Sequence, residues 1–187
     1  GVEALDAGGV RDEAHELVQR VTQAATDELS ANEVERASRR AARHVDGSEA
    51  DDLGDAADAL ADAIAATAPG RIDQVSQQLG DALELVRDAA RALVSAMPKE
   101  SDDAGVVQAK GWSQEIFKNA DRMASNSEYD VLWVAERDER RGGNHLCVAP
   151  LNVAGQMRDK LLEDKTVVFT SATLKLGGDF DPVAGSF

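Results

Sequence analysis

The sequence predicts a mainly α protein, in which a run of amphipathic helices leads into a β-hairpin and short α/β flanks lie at the two ends. Apolar residues recur at helical spacing from Leu17 to Met123. From Tyr129 the pattern changes to alternation, with turn residues Gly142-Gly143-Asn144 before an apolar return at Leu146-Cys147-Val148. Near the end, Val167-Val168-Phe169 is a continuous apolar run rich in β-branched residues, which suits a strand buried on both faces of a parallel sheet.

Taken in order, residues 1–10 show no strong pattern and are expected to be an irregular lead-in. Leu17, Val21, Ala24, Ala25 and Glu28-Leu29 give the stripe of a first helix. Ser30-Ala31-Asn32-Glu33 is a capping box that restarts a helix with Val34, Ala37, Ala41 and Val45 on its apolar side. Asp46-Gly47-Ser48 breaks it. A third helix carries Leu53, Ala56, Leu60 and Ile64 and stops at Pro69-Gly70. The fourth runs through Val75, Leu79, Leu83, Val86, Ala90, Leu93 and Met97 and ends before Pro98, because the residue preceding a proline avoids the helical region. After a charged loop, a fifth helix has Trp112, Ile116, Phe117, Ala120 and Met123 as its heavy, core-filling side. The strand that follows puts Tyr129, Val131, Trp133 and Ala135 on one face and Leu132 and Val134 on the other. His145, beside the turn, is expected at a surface or edge. Beyond Pro150, Val153, Met157, Leu161 and Leu162 describe a last helix. Alanine supplies much of the helix packing, so each contact buries little area.

Charge narrows the functions on offer. The 187 residues hold 20 Lys and Arg against 35 Asp and Glu, a formal charge of -15. From His44 to Ala104 there are 14 acidic and 4 basic residues, so this part would repel phosphates. Arg36, Arg39, Arg40 and Arg43 stand out against that background, since spacing i, i+3, i+4, i+7 brings four guanidinium groups to one side of the second helix. They are candidates for sequence-independent contact with a nucleic-acid backbone, against the plainer alternative of a solvated face balanced by Glu33 and Glu35. Cys147 is the only cysteine, so an intrachain disulfide is excluded, and a lone thiolate cannot hold a zinc or iron–sulfur site. No apolar run approaches a membrane span or a signal segment, and a soluble, cytoplasmic protein is expected.

Two short stretches carry chemistry. Asp12-Glu13-Ala14-His15 has adjacent carboxylates of the kind an ATPase keeps beside its nucleotide, one to hold Mg²⁺ and the next to act on the attacking water. The bland alternative is an acidic helix start. A zinc-protease pattern is excluded, because position 19 is Gln19 rather than histidine. At the other end, the apolar run leads into Thr170, Ser171 and Thr173, small hydroxyl groups at the carboxyl end of a strand, where open α/β sheets gather ligands. Gly177-Gly178-Asp179-Phe180 lacks the second acidic residue of the diguanylate-cyclase turn, and no cyclase domain precedes it.

Asp-Glu-Ala-His followed by Glu-Leu resembles motif II, and Thr-Ser-Ala-Thr-Leu with Gly-Gly-x-Phe resembles motif III, of the DinG/XPD-like superfamily 2 helicases. Trp133 and Ala149-Pro150-Leu151 look like further family features. The resemblance implies a helical arch-type insertion domain with a β-hairpin between the motifs, plus a short α/β flank from a RecA-like motor lobe. Residues 1–16 are then lead-in and DEAH box, 17–150 the arch, and 151–187 the flank with motif III. It implies ATP and Mg²⁺ in the parent protein, Asp12 as metal ligand and Glu13 as catalytic residue. His15, Thr170, Ser171 and Thr173 would couple nucleotide state to DNA grip, with single-stranded or forked DNA as partner in repair or recombination. In this family an iron–sulfur domain, when present, precedes motif II and leaves no ligand set here. Arg11 stands where a core aliphatic is expected, and no G-x-x-x-x-G-K-[ST] loop occurs. The chain is therefore expected to be a piece of an enzyme, inactive alone. The alternative from another class is a stand-alone acidic helical interaction module.

Overall fold

A computed structural model describes residues 4–5, 8–11, 25–138, 140, 142–151 and 166–169. Two compact units emerge, Gly1–Thr26 with Ala149–Phe187, and Asp27–Val148.

In the first unit, β1 (Ala4–Leu5), β2 (Gly8–Arg11) and β7 (Thr166–Phe169) form a sheet in the order β1-β2-β7. β1 is antiparallel to β2, and β2 is parallel to β7, with Gly8 opposite Thr166 and Arg11 opposite Phe169. The expected irregular lead-in is thus corrected. Two glycines give poor local strand propensity, but pairing with β7 supplies the partners that local sequence does not.

The second unit combines four helices among the described residues with a sheet of order β3-β6-β5-β4. β3 (Asp27–Leu29) replaces the end of the expected first helix. The cause is the next residue: Ser30 is an N-cap with extended backbone (φ -120°, ψ 149°), so the preceding chain arrives extended. Its hydroxyl accepts from the Glu33 amide (3.2 Å), and the Glu33 carboxylate takes the Ser30 amide (3.1 Å), completing the predicted capping box. α1 (Ala31–Ala41) buries Val34, Ala37 and Ala41 and stops short of Val45, which still packs on the core.

α2 (Glu49–Ala65) crosses α1 where the buried Ser38 hydroxyl donates to the Ala50 carbonyl (2.7 Å). A Cβ on Gly54 would come within 3.2 Å of that hydroxyl oxygen, so the crossing favours glycine there. α3 (Gln77–Ala96) is capped by Ser76 and lies between α2 and α4 (Ala104–Ala124). Met97 leaves the helix with extended backbone (φ -79°, ψ 150°), as a residue before Pro98 should. Asp103 caps α4, accepting from the Gly105 and Val106 amides.

β4 (Gly70–Arg71), β5 (Asp130–Ala135) and β6 (His145–Pro150) complete the sheet. Leu132 and Val134 share a face, as expected, and that face is buried, whereas Tyr129 lies outside the strand and is exposed. The positive φ of Gly142 (109°) and Gly143 (71°) turns the chain between β5 and β6. Because β6 has a neighbour on each side, its residues from His145 to Ala149 are all buried. His145 is therefore a core residue, not the surface or edge residue its neighbouring turn suggested. The predicted helix 153–162 lies outside the described residues.

In α2 and α3 the core is leucine with alanine between: Leu53, Leu60, Leu79, Leu83 and Leu93 are fully buried, next to Ala56, Ala57 and Ala90. Removing one leucine leaves a gap that the small neighbours cannot close. Leu83→Ala should therefore cost about 2–5 kcal/mol in urea unfolding. Leu85→Ala, on the exposed side of the same helix (54% accessible), should stay within about 0.5 kcal/mol. Equal losses at the two positions would contradict this helix orientation.

Candidate functional site

The motor-type motifs belong to the first unit. β2 ends at Arg11 and β7 at Phe169, and these two residues are register partners in parallel strands. Asp12 follows one strand in the sequence and Thr170 follows the other. Asp12, Glu13, His15, Thr170, Ser171 and Thr173, with Gly177-Gly178-Asp179-Phe180, lie outside the described residues. Arg11 is the last residue of β2, so the strand expected before the DEAH box is present despite the charged residue.

In the second unit, the arginines meet different surroundings. Arg36, Arg39 and Arg40 lie on α1, and Arg43 lies in the turn that follows; all four are exposed. Arg39 pairs with Glu35 (3.3 Å), a solvated i,i+4 contact of little energetic weight. Arg36 Nε donates to the Asn32 carbonyl (3.2 Å). The Arg40 guanidinium lies 3.9 Å from the centroid of the Trp112 ring, a cation–π contact between α1 and α4. No partner for Arg43 occurs among the described residues.

Arg36, Arg40 and Trp112 border a groove of about 310 Å³. Its base is the buried Leu29, Ala37 and Ile116, with Asn119 beside them, and Glu28, Glu33 and Glu115 also line it. Trp112 is half-buried, so the sequence expectation of a core-filling aromatic holds only in part. Asn119 is 6% exposed; its Nδ2 donates to the Glu28 carbonyl (3.0 Å), which fixes the amide orientation and leaves Oδ1 buried without a hydrogen bond. Sequence spacing alone could not bring Arg40 and Trp112 together, since they lie on separate helices.

Below α4, Arg122 is held by Asp27 on β3 (2.7 Å) and by Asp130 on β5 (Nε to Oδ2, 3.1 Å). The hydrogen bond to Asp130, joined by that to Asp27, holds the guanidinium pKa above its ordinary value against the opposing effect of burial.

One group of metal-capable side chains comes together among the described residues: Glu28, His145 and Cys147, with ligand atoms within 4.8 Å of one another. A cation already serves that position. Arg137 pairs with the Glu28 carboxylate (2.9 Å) and donates to His145 Nε2 (3.1 Å). Burial, followed by the charge of Glu28, pushes the Cys147 thiol up to about 11, so the thiolate that a metal needs is disfavoured. The group is better understood as an anchor for the loop after β5.

That thiol gives a pH test. Its folded pKa of about 11 lies above the ordinary 9.0, so its contribution to stability is complete below about pH 9 and is lost as pH rises through 11. Urea midpoints measured across that window should fall more steeply for the wild-type chain than for Cys147→Ala. Parallel curves would show that the thiol is not shifted.

No protein-family profile matches the chain. It is 36% identical over 190 aligned residues, 94% of its length, to the ATP-dependent helicase DinG of Mycobacterium tuberculosis strain H37Rv, and equally to that of Mycobacterium bovis. The chain spans 28% of the length of these curated relatives. Over nearly all of its own length the chain is thus DinG-like, similar to a stretch of an ATP-dependent helicase.

Proposed function

We propose that this chain is the arch region, with flanking motor-lobe segments, of an ATP-dependent DNA helicase that unwinds DNA in repair or recombination. The observation that carries the reading is the parallel register of β2 and β7. Arg11 and Phe169 are partners at the carboxyl ends of neighbouring strands, with DEAH next in sequence on one and TSAT next on the other. Ligands in open α/β sheets bind at such strand ends. The DinG similarity over 94% of the chain favours this reading over a stand-alone interaction module.

In the proposed mechanism Asp12 would hold the Mg²⁺ that accompanies ATP and offsets the charge of its phosphates, and Glu13 would orient and deprotonate the attacking water. His15, with Thr170, Ser171 and Thr173, responds to the nucleotide and passes its state to the DNA-gripping surface. A phosphate-cradling loop must come from elsewhere in the parent protein, since this sequence holds none. Without it the triphosphate is not positioned against the carboxylates, and the isolated chain should not turn over ATP.

Substitutions in the full-length parent test the assignment. Glu13→Gln keeps size and hydrogen-bonding reach but removes the base; ATP turnover should fall by about 10²–10⁴-fold with nucleotide binding largely retained. Asp12→Asn should weaken Mg²⁺-dependent nucleotide binding itself. Turnover near wild type in both variants would overturn the assignment, as would DNA-stimulated hydrolysis by the isolated chain.

A further inference from the structure

We infer that the groove between α1 and α4 is a nucleobase site, in which one base of a DNA single strand stacks on Trp112 while Arg39 on α1 and Arg43 in the turn after it hold the adjoining backbone. This rests on the reading of the chain as part of a DNA helicase, and it specifies which part of the DNA the groove takes.

The aromatic face comes first. Trp112 is half-buried, and the solvent-exposed side chain of Arg40 lies over its ring. An exposed arginine can slide off the indole and follow a phosphate, which frees a π-face for a base. Stacking of bases on aromatic rings, helped by arginine, is how single strands are commonly gripped without sequence preference.

Charge separates base from backbone. Among the groove's own residues Arg36 and Arg40 are balanced by Glu33 and Glu115, and Glu28 is matched by Arg137. A balanced, partly apolar groove suits an uncharged base better than a phosphate. Phosphates would instead meet Arg39 and Arg43, whose only carboxylate partner among the described residues is the weakly held Glu35.

A polar group is also left over. Asn119 lines the groove, its amide nitrogen is committed to the Glu28 carbonyl, and its Oδ1 is buried without a hydrogen bond. A buried acceptor without a donor is costly. An amino group at a base edge is a donor of the right kind.

The test uses the 187-residue chain and a short labelled DNA single strand, alongside the same strand made abasic. The intact strand should quench Trp112 fluorescence, measured with Trp133→Phe as background, and the abasic strand should bind about 5- to 150-fold more weakly. Trp112→Ala should lose a similar factor, and Trp112→Phe should recover most of it. Arg39→Ala with Arg43→Ala should lower the salt slope by roughly 1–2 units while leaving quenching at saturation intact.

Equal affinity for intact and abasic strands would overturn the base site while leaving a backbone-contacting surface in place. If neither strand binds, the DNA-contact role of this face falls too. Quenching by a basic peptide, with no response to either strand, would make the groove a protein-docking site and overturn the inference.

Discussion

The second unit depends on one half-buried guanidinium. β3 and β5 lie on either side of β6, and Arg122 of α4 pairs with a carboxylate on each: Asp27 and Asp130. A planar fork with several fixed donors can serve two carboxylates at once, which an ammonium point charge would do with less geometric control. Two further contacts from α4 follow the same line, Lys118 to Asp27 (3.3 Å) and Asn119 to the Glu28 carbonyl (3.0 Å). Together they fix α4 over the sheet. Losing the guanidinium would remove the partner of Asp130 and leave Asp27 with the exposed Lys118, a larger penalty than losing a solvated surface pair.

That attachment determines the groove. Ser30 ends β3 and starts α1 through the capping box, so α1 leaves the sheet in a fixed direction. α4 is held to the same strand by Asn119 and Arg122. With both helices referred to β3, Arg40 reaches Trp112, and the space between them is bounded rather than collapsed. The alanine-rich packing of α2 and α3 has a different role: small side chains let these helices approach closely while each buries little surface.

Much of this was legible in the sequence because it is local. The capping box, the stop before Pro98 and the shared face of Leu132 and Val134 all follow from neighbouring residues. β3 and β4 are only 3 and 2 residues long, too short to show a period, and exist because β6 and β5 offer them partners. The burial of His145 has the same origin. A turn beside it suggested an edge, yet the unbroken apolar run from Leu146 to Ala149 was already the signature of a strand with a neighbour on each side. As for the proposed site, the DEAH and TSAT stretches are visible as motifs because each is a run of neighbouring residues. The Arg40–Trp112 contact was invisible, since nothing in either helix names the other.

The pairing of β3 with β6 brings the first and last strands of the second unit side by side, Asp27 opposite Val148. Closing a loop of about 120 residues costs roughly 4 kcal/mol in chain entropy, whereas contacts between successive helices close much shorter loops. The order of assembly follows from that difference. Helix-on-helix contacts can form early, and the sheet can only be completed when the far end of the unit returns. Until then Asp27 and Glu28 have no β6 to pair with, so the first strand of the unit becomes ordered among the last, and the groove that depends on it is finished with it.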